Sequence, residues 1–204
     1  MTAAPIEFCA SIDQLDPKEW NALTGGSYPF ARHEFLAALE HGGCVGAGTG
    51  WQPHYLALHD ARGLTGAAAA CLKTHSYGEF VFDFGWAQAY ERLGRRYYPK
   101  LTLAVPFTPA TGPRLLVRPG LDRSAIAGEL LAALERETRA RNLSGVHALF
   151  LDEPARAACA ARGWLLRRDC QFHWTNRGYT SFEDYLGTFT AEKRKKARRE
   201  RRRV

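Results

Sequence analysis

The chain has 204 residues, 46% of them hydrophobic and 12% aromatic, which excludes a disordered polymer and leaves room for one well-buried core plus a tail. Its net charge of +7 is gathered at one end: from Glu192 to Val204 nine Lys or Arg face two Glu, and the rest of the 28 basic and 21 acidic residues balance. That excludes a broad basic face on the body of the protein, while five scattered cysteines without C-x-x-C spacing exclude a disulfide framework or a zinc site and fit a reducing cytoplasm.

In chain order, "IEFCASIDQL" alternates like an edge strand, and "DPKEWNALT" starts a short helix with Asp16 as N-cap and Pro17 in its first turn. "ARHEFLAALEH" puts Phe35, Leu36 and Leu39 on one helical face, and the glycine-rich "GGCVGAGTG" stops it. "WQPHYLALHD" and "LTGAAAACLK" flank the tight turn "DARG" as the arms of a hairpin. The helical "FGWAQAYERLG", the strand "KLTLAVPF" and the turn-rich "TPATGPR" follow. "SAIAGELLAALERETRARN" is the clearest helix, with Ser124 as expected N-cap and Ile126, Leu130, Leu131 and Leu134 as its buried stripe. A strand "GVHALFLD", a short helix "EPARAACAARG" and a last strand "WLLRRDCQFHW" close the series. The order predicts an α/β (α+β) fold: a mixed, mostly antiparallel sheet flanked by helices. It is similar to the GNAT acyltransferase fold. No stretch can span a bilayer, since the longest uncharged one, Gly42 to His59, is broken by Gly, Gln, Pro and His.

Motifs narrow the chemistry. Gly46-x-Gly48 lies after a helix and before a strand, the inverse of a dinucleotide fingerprint, and reads as a flexible loop. The Q/R-x-x-G-x-G/A segment with which GNAT enzymes hold a coenzyme A pyrophosphate is absent. No G-x-S-x-G elbow appears, and Cys71 sits in an apolar strand where a thiol is inert. His33, His41, His54 and His59 have no metal-ligating spacing, so no metal is expected. The informative stretch runs from Lys73 to Leu116, where charged and phenolic residues are packed among aromatics at the end of one strand and the start of the next. His75, Tyr77, Glu79 and Asp83 are candidates to line a cleft there, with Lys73, Lys100 and Arg114 as anchors for phosphate or carboxylate. The plainer reading is that the aromatics cover the edge of the core while the charges are solvated. His173, expected on the last strand beside Trp174, is either a satisfied sheet histidine or a base or donor near that cleft.

The stretch "KTHSYGEFVFDFGWAQAYERLGRRYYPKLTLAVPFTPATGPRLL" together with "DCQFHWTNRGYTSFEDYLGTFTAEKRKKARRERRRV" resembles the FemAB-like proteins, GNAT-superfamily acyltransferases and peptidoglycan-biosynthesis relatives, of which this chain matches the N-terminal half. The resemblance implies a first GNAT-like domain over residues 1–178 and a helical, strongly basic connector over 179–204 that leads to a second, missing GNAT-like domain of the same protein. It implies transfer of an acyl or aminoacyl group to an amine on a small or peptide-like acceptor, with acyl-CoA or aminoacyl-tRNA as donor and tRNA as a partner. Glu79 or Asp83 would orient or deprotonate the amine, and Tyr77 or His173 would donate to the developing oxyanion. Lys73, Lys100 and Arg114 would anchor anionic substrate, and His75, Tyr90, Tyr98 and Thr111 complete the substrate-contacting set. Two other readings stay open: a domain that binds a cell-wall precursor without chemistry, and RNA or another polyanion held by the tail. The tail itself reads as a helix from Ser181, with Asp184 at capping-box spacing, and a second helix after Thr190 with its charges spread around the cylinder.

Overall fold

Residues 6–202 are described by the structure, a computed structural model, and they fall into two units that divide between Leu165 and Leu166.

The first unit is organised by one long bent hairpin. β1 (Ile6–Cys9) pairs antiparallel with β3 (Tyr55–Asp60), which turns through Ala61 and Arg62 into β4 (Gly63–Ala68). β2 (Trp51–Pro53) runs straight into β3, and β4 into β5 (Ala70–Lys73), with one irregular residue in each arm, His54 and Ala69. The His54 amide still donates to the Ala70 carbonyl at 2.8 Å, so the arms stay paired across the bend. Beyond it the partners change. β4 pairs with β7 (Leu116–Val117), giving the sheet β1-β3-β4-β7, whereas β5 pairs with β6 (Lys100–Leu103) and β6 runs parallel to β8 (Val146–Ala148), giving β2-β5-β6-β8.

Strict alternation in β3 loads both faces of its sheet. Leu56 and Leu58 join Leu101, Leu103 and Leu115 under α4 (Arg123–Ala140) and α5 (Glu153–Ala161), while Tyr55 and Ala57 join Trp20, Leu23 and Leu36 of α1 (Pro17–Thr24) and α2 (His33–His41). α1 starts as its sequence dictates: Asp16 accepts from the amides of Lys18 and Glu19 at 2.8 and 3.0 Å, and Pro17 opens the first turn. In α4 the cap is Asp122, which accepts from Ser124 and Ala125 at 2.9 and 3.1 Å, so Ser124 lies inside the helix and not at its cap. The helix thus begins two residues earlier, at Arg123, with a carboxylate that carries charge onto the helix dipole. α4 buries Ala127, Leu130, Leu131 and Leu134, with Ile126 packed at the margin. The small-residue run Gly66–Ala70 lets it lie close, because a Cβ on Gly66 would meet Ile126 Cγ2 at 2.6 Å.

The expected strand "WLLRRDCQFHW" does not form: residues 165–174 carry no ladder, and no described strand offers them one. A strand exists only as a member of a pair, so apolar alternation without a partner leaves extended chain. The unit boundary falls within this segment, after Leu165.

The second unit contains α6 (Phe182–Gly187) and α7 (Ala191–Arg201). Ser181 caps α6 through the Asp184 amide at 3.0 Å, while the Asp184 carboxylate accepts from the Thr180 amide at 3.1 Å. Arg194, Arg198 and Arg201 recur at helical spacing and turn one face of α7 onto α6. Arg194 donates to the carbonyls of Leu186 and Phe189 at 3.1 and 3.0 Å, Arg198 pairs with Glu183, and Arg201 lies over the Phe182 ring at 4.3 Å. Of the charges spread around α7, Arg194 closes the C-terminus of α6 and Arg198 and Arg201 meet its first turn.

Candidate active site

β5 ends at Lys73 and β6 begins at Lys100, and the two lysines are direct partners in the antiparallel register. Both are fully buried. Like charges so placed repel, and burial raises the cost. The chain between them resolves this by folding back over the end of the sheet: residues 74–83 form an irregular loop, α3 (Phe84–Arg92) follows, and residues 93–99 return to β6.

The loop delivers two carboxylates to Lys100. Its Nζ donates to Glu79 Oε2 at 2.8 Å, to Asp83 Oδ2 at 2.6 Å and to Ser76 Oγ at 3.1 Å. Tyr97 donates to Asp83 Oδ2 at 2.6 Å, and the Tyr98 hydroxyl lies 2.7 Å from Ser76 Oγ. Asp83 sits at the N-cap position of α3 yet makes no capping bond, because its side chain serves Lys100 and Tyr97 instead. Glu79 and Asp83 are 2% and 3% exposed, and one oxygen of each, Glu79 Oε1 and Asp83 Oδ1, has no protein partner. A buried carboxylate oxygen without a partner costs about 1–3 kcal/mol, which packing alone gives no reason to retain.

The environments of the two acids differ. Burial pushes the Glu79 pKa up in spite of Lys100. Burial acts on Asp83 in the same sense, but the hydrogen bonds from Lys100, Ser76 and Tyr97 outweigh it and hold its pKa below the usual range. Two carboxylates on one lysine are thus driven apart in pKa, Glu79 upward and Asp83 downward. Burial and Asp83 push Tyr97 up, so it remains a donor. Lys73 faces Trp51, with Nζ 3.5 Å from the ring centroid and 3.3 Å from the Tyr77 carbonyl, and burial lowers its pKa to about 8. The Trp51 indole donates to that same carbonyl at 3.0 Å.

The candidates named from sequence separate into those gathered here and those that lie elsewhere. Glu79, Asp83, Tyr98 and Lys100 form the cluster itself. Lys73 adjoins it, and Tyr77 contributes its carbonyl while its ring is exposed. His75 packs on Gly50, where a Cβ would stand 2.0 Å from the imidazole, and its Nδ1 accepts from the Tyr77 amide at 3.2 Å. Tyr90 touches the cluster through the Tyr97 ring, 5.2 Å between centroids.

Arg114 is a correction. It donates to the carbonyls of Leu149 at 2.9 Å and Ala110 at 2.6 Å and to the Tyr28 hydroxyl at 3.3 Å, a brace inside the fold and not an anion anchor. The cavity beside it measures about 10 Å³, room for about one water. Thr111 is exposed in the same turn and joins no cluster. His173 is corrected too: it lies on no strand but in the second unit, exposed, 2.7 Å from Gln171 Oε1 and lining a concavity of about 320 Å³ with Trp174, Thr175, Arg177, Tyr179 and Tyr185. Sequence reasoning gave Ser76, Trp51 and Tyr97 no role. No group of three or more His, Cys, Asp or Glu that could hold a metal occurs among the described residues.

A family model described as FemAB_like, peptidoglycan biosynthesis/recognition, matches residues 11–204. The chain belongs to the FemAB-like family. Among solved structures, this FemAB-like chain is similar to aminoglycoside N-acetyltransferase AAC(6')-Iy in complex with CoA, with a TM-score of 0.50 at 13% identity over 84% of this chain and 95% of that one. A second, aminoglycoside 6'-N-acetyltransferase AAC(6')-Ih from Acinetobacter baumannii, has a TM-score of 0.47 at 16% identity, covering 85% and 100%. No curated protein matches the chain. The FemAB-like protein therefore shares the GNAT fold and belongs to a family tied to peptidoglycan biosynthesis or recognition, and none of its described helices is long and apolar enough to cross a membrane.

Proposed function

We propose that the FemAB-like domain transfers an acyl group to an amine, with Glu79 as general base and Asp83 and Lys100 as its fixed electrostatic frame. The observation that carries this reading is the pairing of a raised-pKa carboxylate, Glu79, with a neighbour of lowered pKa on one lysine, each keeping an oxygen without a protein partner. An ammonium acceptor donates an N–H to Glu79 Oε1 and yields its proton there. The freed lone pair attacks the carbonyl carbon of the donor, and the tetrahedral intermediate collapses with loss of thiolate or alkoxide, which takes up the second proton shed by the nitrogen while Glu79 passes the first to solvent. The Ser76–Tyr98 hydroxyl pair, which keeps one hydrogen beyond its mutual bond, is the donor assigned to the developing charge, and Lys100 beside it supplies fixed positive charge.

We assign acyl-CoA as the donor and a small or peptide-like amine of the cell-wall pathway as the acceptor. An aminoacyl-tRNA ester would present the same carbonyl to the same base, and parallel assays with the two donors separate them. A second acyltransferase-like half of the same protein is a further proposed partner, and its addition would be tested in the same assay. The decisive measurement is release of free thiol from acyl-CoA with an amine acceptor. Glu79→Gln is expected to lower kcat by about 10²–10⁴, the range supplied by a positioned base, with little change in KM. The acid limb of the kcat profile of the unaltered protein is expected above the ordinary carboxylate range, because the Glu79 pKa is raised, and to vanish in the variant. Activity retained by Glu79→Gln would remove Glu79 from the mechanism.

A further inference from the structure

The segment from Phe80 to Arg96 carries a surface that the proposed chemistry does not use. Phe80, Phe82, Trp86 and Leu93 are 51%, 72%, 58% and 73% exposed. α3, which begins within this segment, has no buried residue, and Trp86 and Leu93, seven apart, mark the same side of it and of its C-terminal cap. A helix that faces water is ordinarily polar on its open side, and this one is aromatic. Phe107 is exposed as well, and its ring would lie 2.6 Å from a Cβ on Gly78, two residues before Phe80. Phe80 and Phe107 hold their rings outward with φ of 56° and 57°, a left-handed backbone that bulky residues avoid unless something else fixes it.

Charge identifies the occupant. Arg92, Arg95 and Arg96 are all exposed and have no ion-pair partner among the described residues, and the one exposed acid in the segment is Glu91. Aromatic rings beside free guanidinium groups are the composition that settles at a bilayer surface, rings at the level of the headgroups and arginines on lipid phosphate. A second copy of the chain would bring the two arginine triads together across a twofold axis, which repels. We propose that the Phe80–Arg96 surface docks the protein on an anionic lipid bilayer as a peripheral contact, independent of which acyl donor or acceptor is used.

The test is co-sedimentation of the full chain with vesicles of mixed phosphatidylglycerol and phosphatidylcholine, and with vesicles of phosphatidylcholine alone. The protein is expected to pellet with the mixed vesicles and to be released by salt. Phe82→Ser with Trp86→Ser, and separately Arg95→Glu with Arg96→Glu, are each expected to weaken binding by at least about tenfold. Their side chains are exposed, so an unchanged far-ultraviolet circular dichroism spectrum is the control for folding. Because α7 is also basic, a variant with Lys193, Lys195 and Lys196 changed to Gln is run beside them, and it is expected to keep the dependence on Phe82 and Trp86. Failure to bind mixed vesicles overturns the proposal, as does binding that the tail variant abolishes and the aromatic variant leaves intact. A dimer in size-exclusion chromatography that Trp86→Ser dissociates would overturn it in favour of a second copy, and capture of an acidic protein in place of vesicles in favour of a protein partner.

Discussion

Lys73 and Lys100 face each other on neighbouring strands with no exposure to water, and the remaining side chains of the cluster answer that fact. The two acids that answer it titrate with opposite sense. Asp83, with a lowered pKa in the folded state, adds stability above its unfolded value near 4 that is lost as pH falls through the folded value. Glu79, with a raised pKa, favours the folded state below its unfolded value, and that contribution is lost as pH rises through the folded one. At pH 8, thermal unfolding of Asp83→Asn is therefore expected at a lower temperature than the unaltered protein, and that of Glu79→Gln at an equal or higher one. A Glu79→Gln variant that melts well below the parent at that pH would make Glu79 a structural acid. The residues of this cluster were legible in part. Charged side chains set among aromatics between two strands marked Glu79, Asp83, Tyr98 and Lys100. The same signal chose Arg114 wrongly, because a sequence does not show that a guanidinium will meet backbone carbonyls. Ser76 passed unnoticed because it acts through one atom placed by a loop, and Trp51 because it comes from a distant strand, β2.

At the level of elements, the helices were readable where cap and stripe coincide, as in α1, and a strand was misread where a tertiary partner decides. "WLLRRDCQFHW" has the alternation of a strand and lacks the neighbour that would make it one. The stripe of α4 was legible and its cap was not: Asp122, two residues before the expected Ser124, holds the amides of Ser124 and Ala125. α4 against β4 supplies a sharper case. Gly66 has no special backbone angle, yet a Cβ there would meet Ile126 at 2.6 Å and the Leu116 carbonyl at 3.2 Å. Gly66→Ala is thus expected to destabilise the protein by about 1–3 kcal/mol through overpacking, measurable by urea unfolding. Gly66→Ala with Ile126→Ala is expected to recover part of that loss, and a double variant no more stable than the single one would show that the backbone contact dominates.

Across the whole molecule, the order of the helices and the neutrality of the body were visible from the chain alone, and β7 and the distribution of strands between two sheets were not. Alternation sets which face a residue takes, but nothing in it tells where a strand will exchange one partner for another. That exchange happens at His54 and Ala69. His54 stacks on Phe8 with centroids 4.7 Å apart and has Nε2 2.7 Å from Glu137 of α4, which pins the joint. Burial lowers the His54 pKa, so the neutral ring is favoured in the folded state and its contribution is lost as pH falls through that value.

Because the same two stretches of chain thread both sheets, neither sheet can come apart while the other persists. In hydrogen–deuterium exchange, the amides of Leu56 to Leu58 and those of Cys71 to Lys73 are expected to become labelled at one common rate under mild denaturant, as a single cooperative block. Separate rates on the two sides of His54 would mean that the joint behaves as a hinge between independently melting halves.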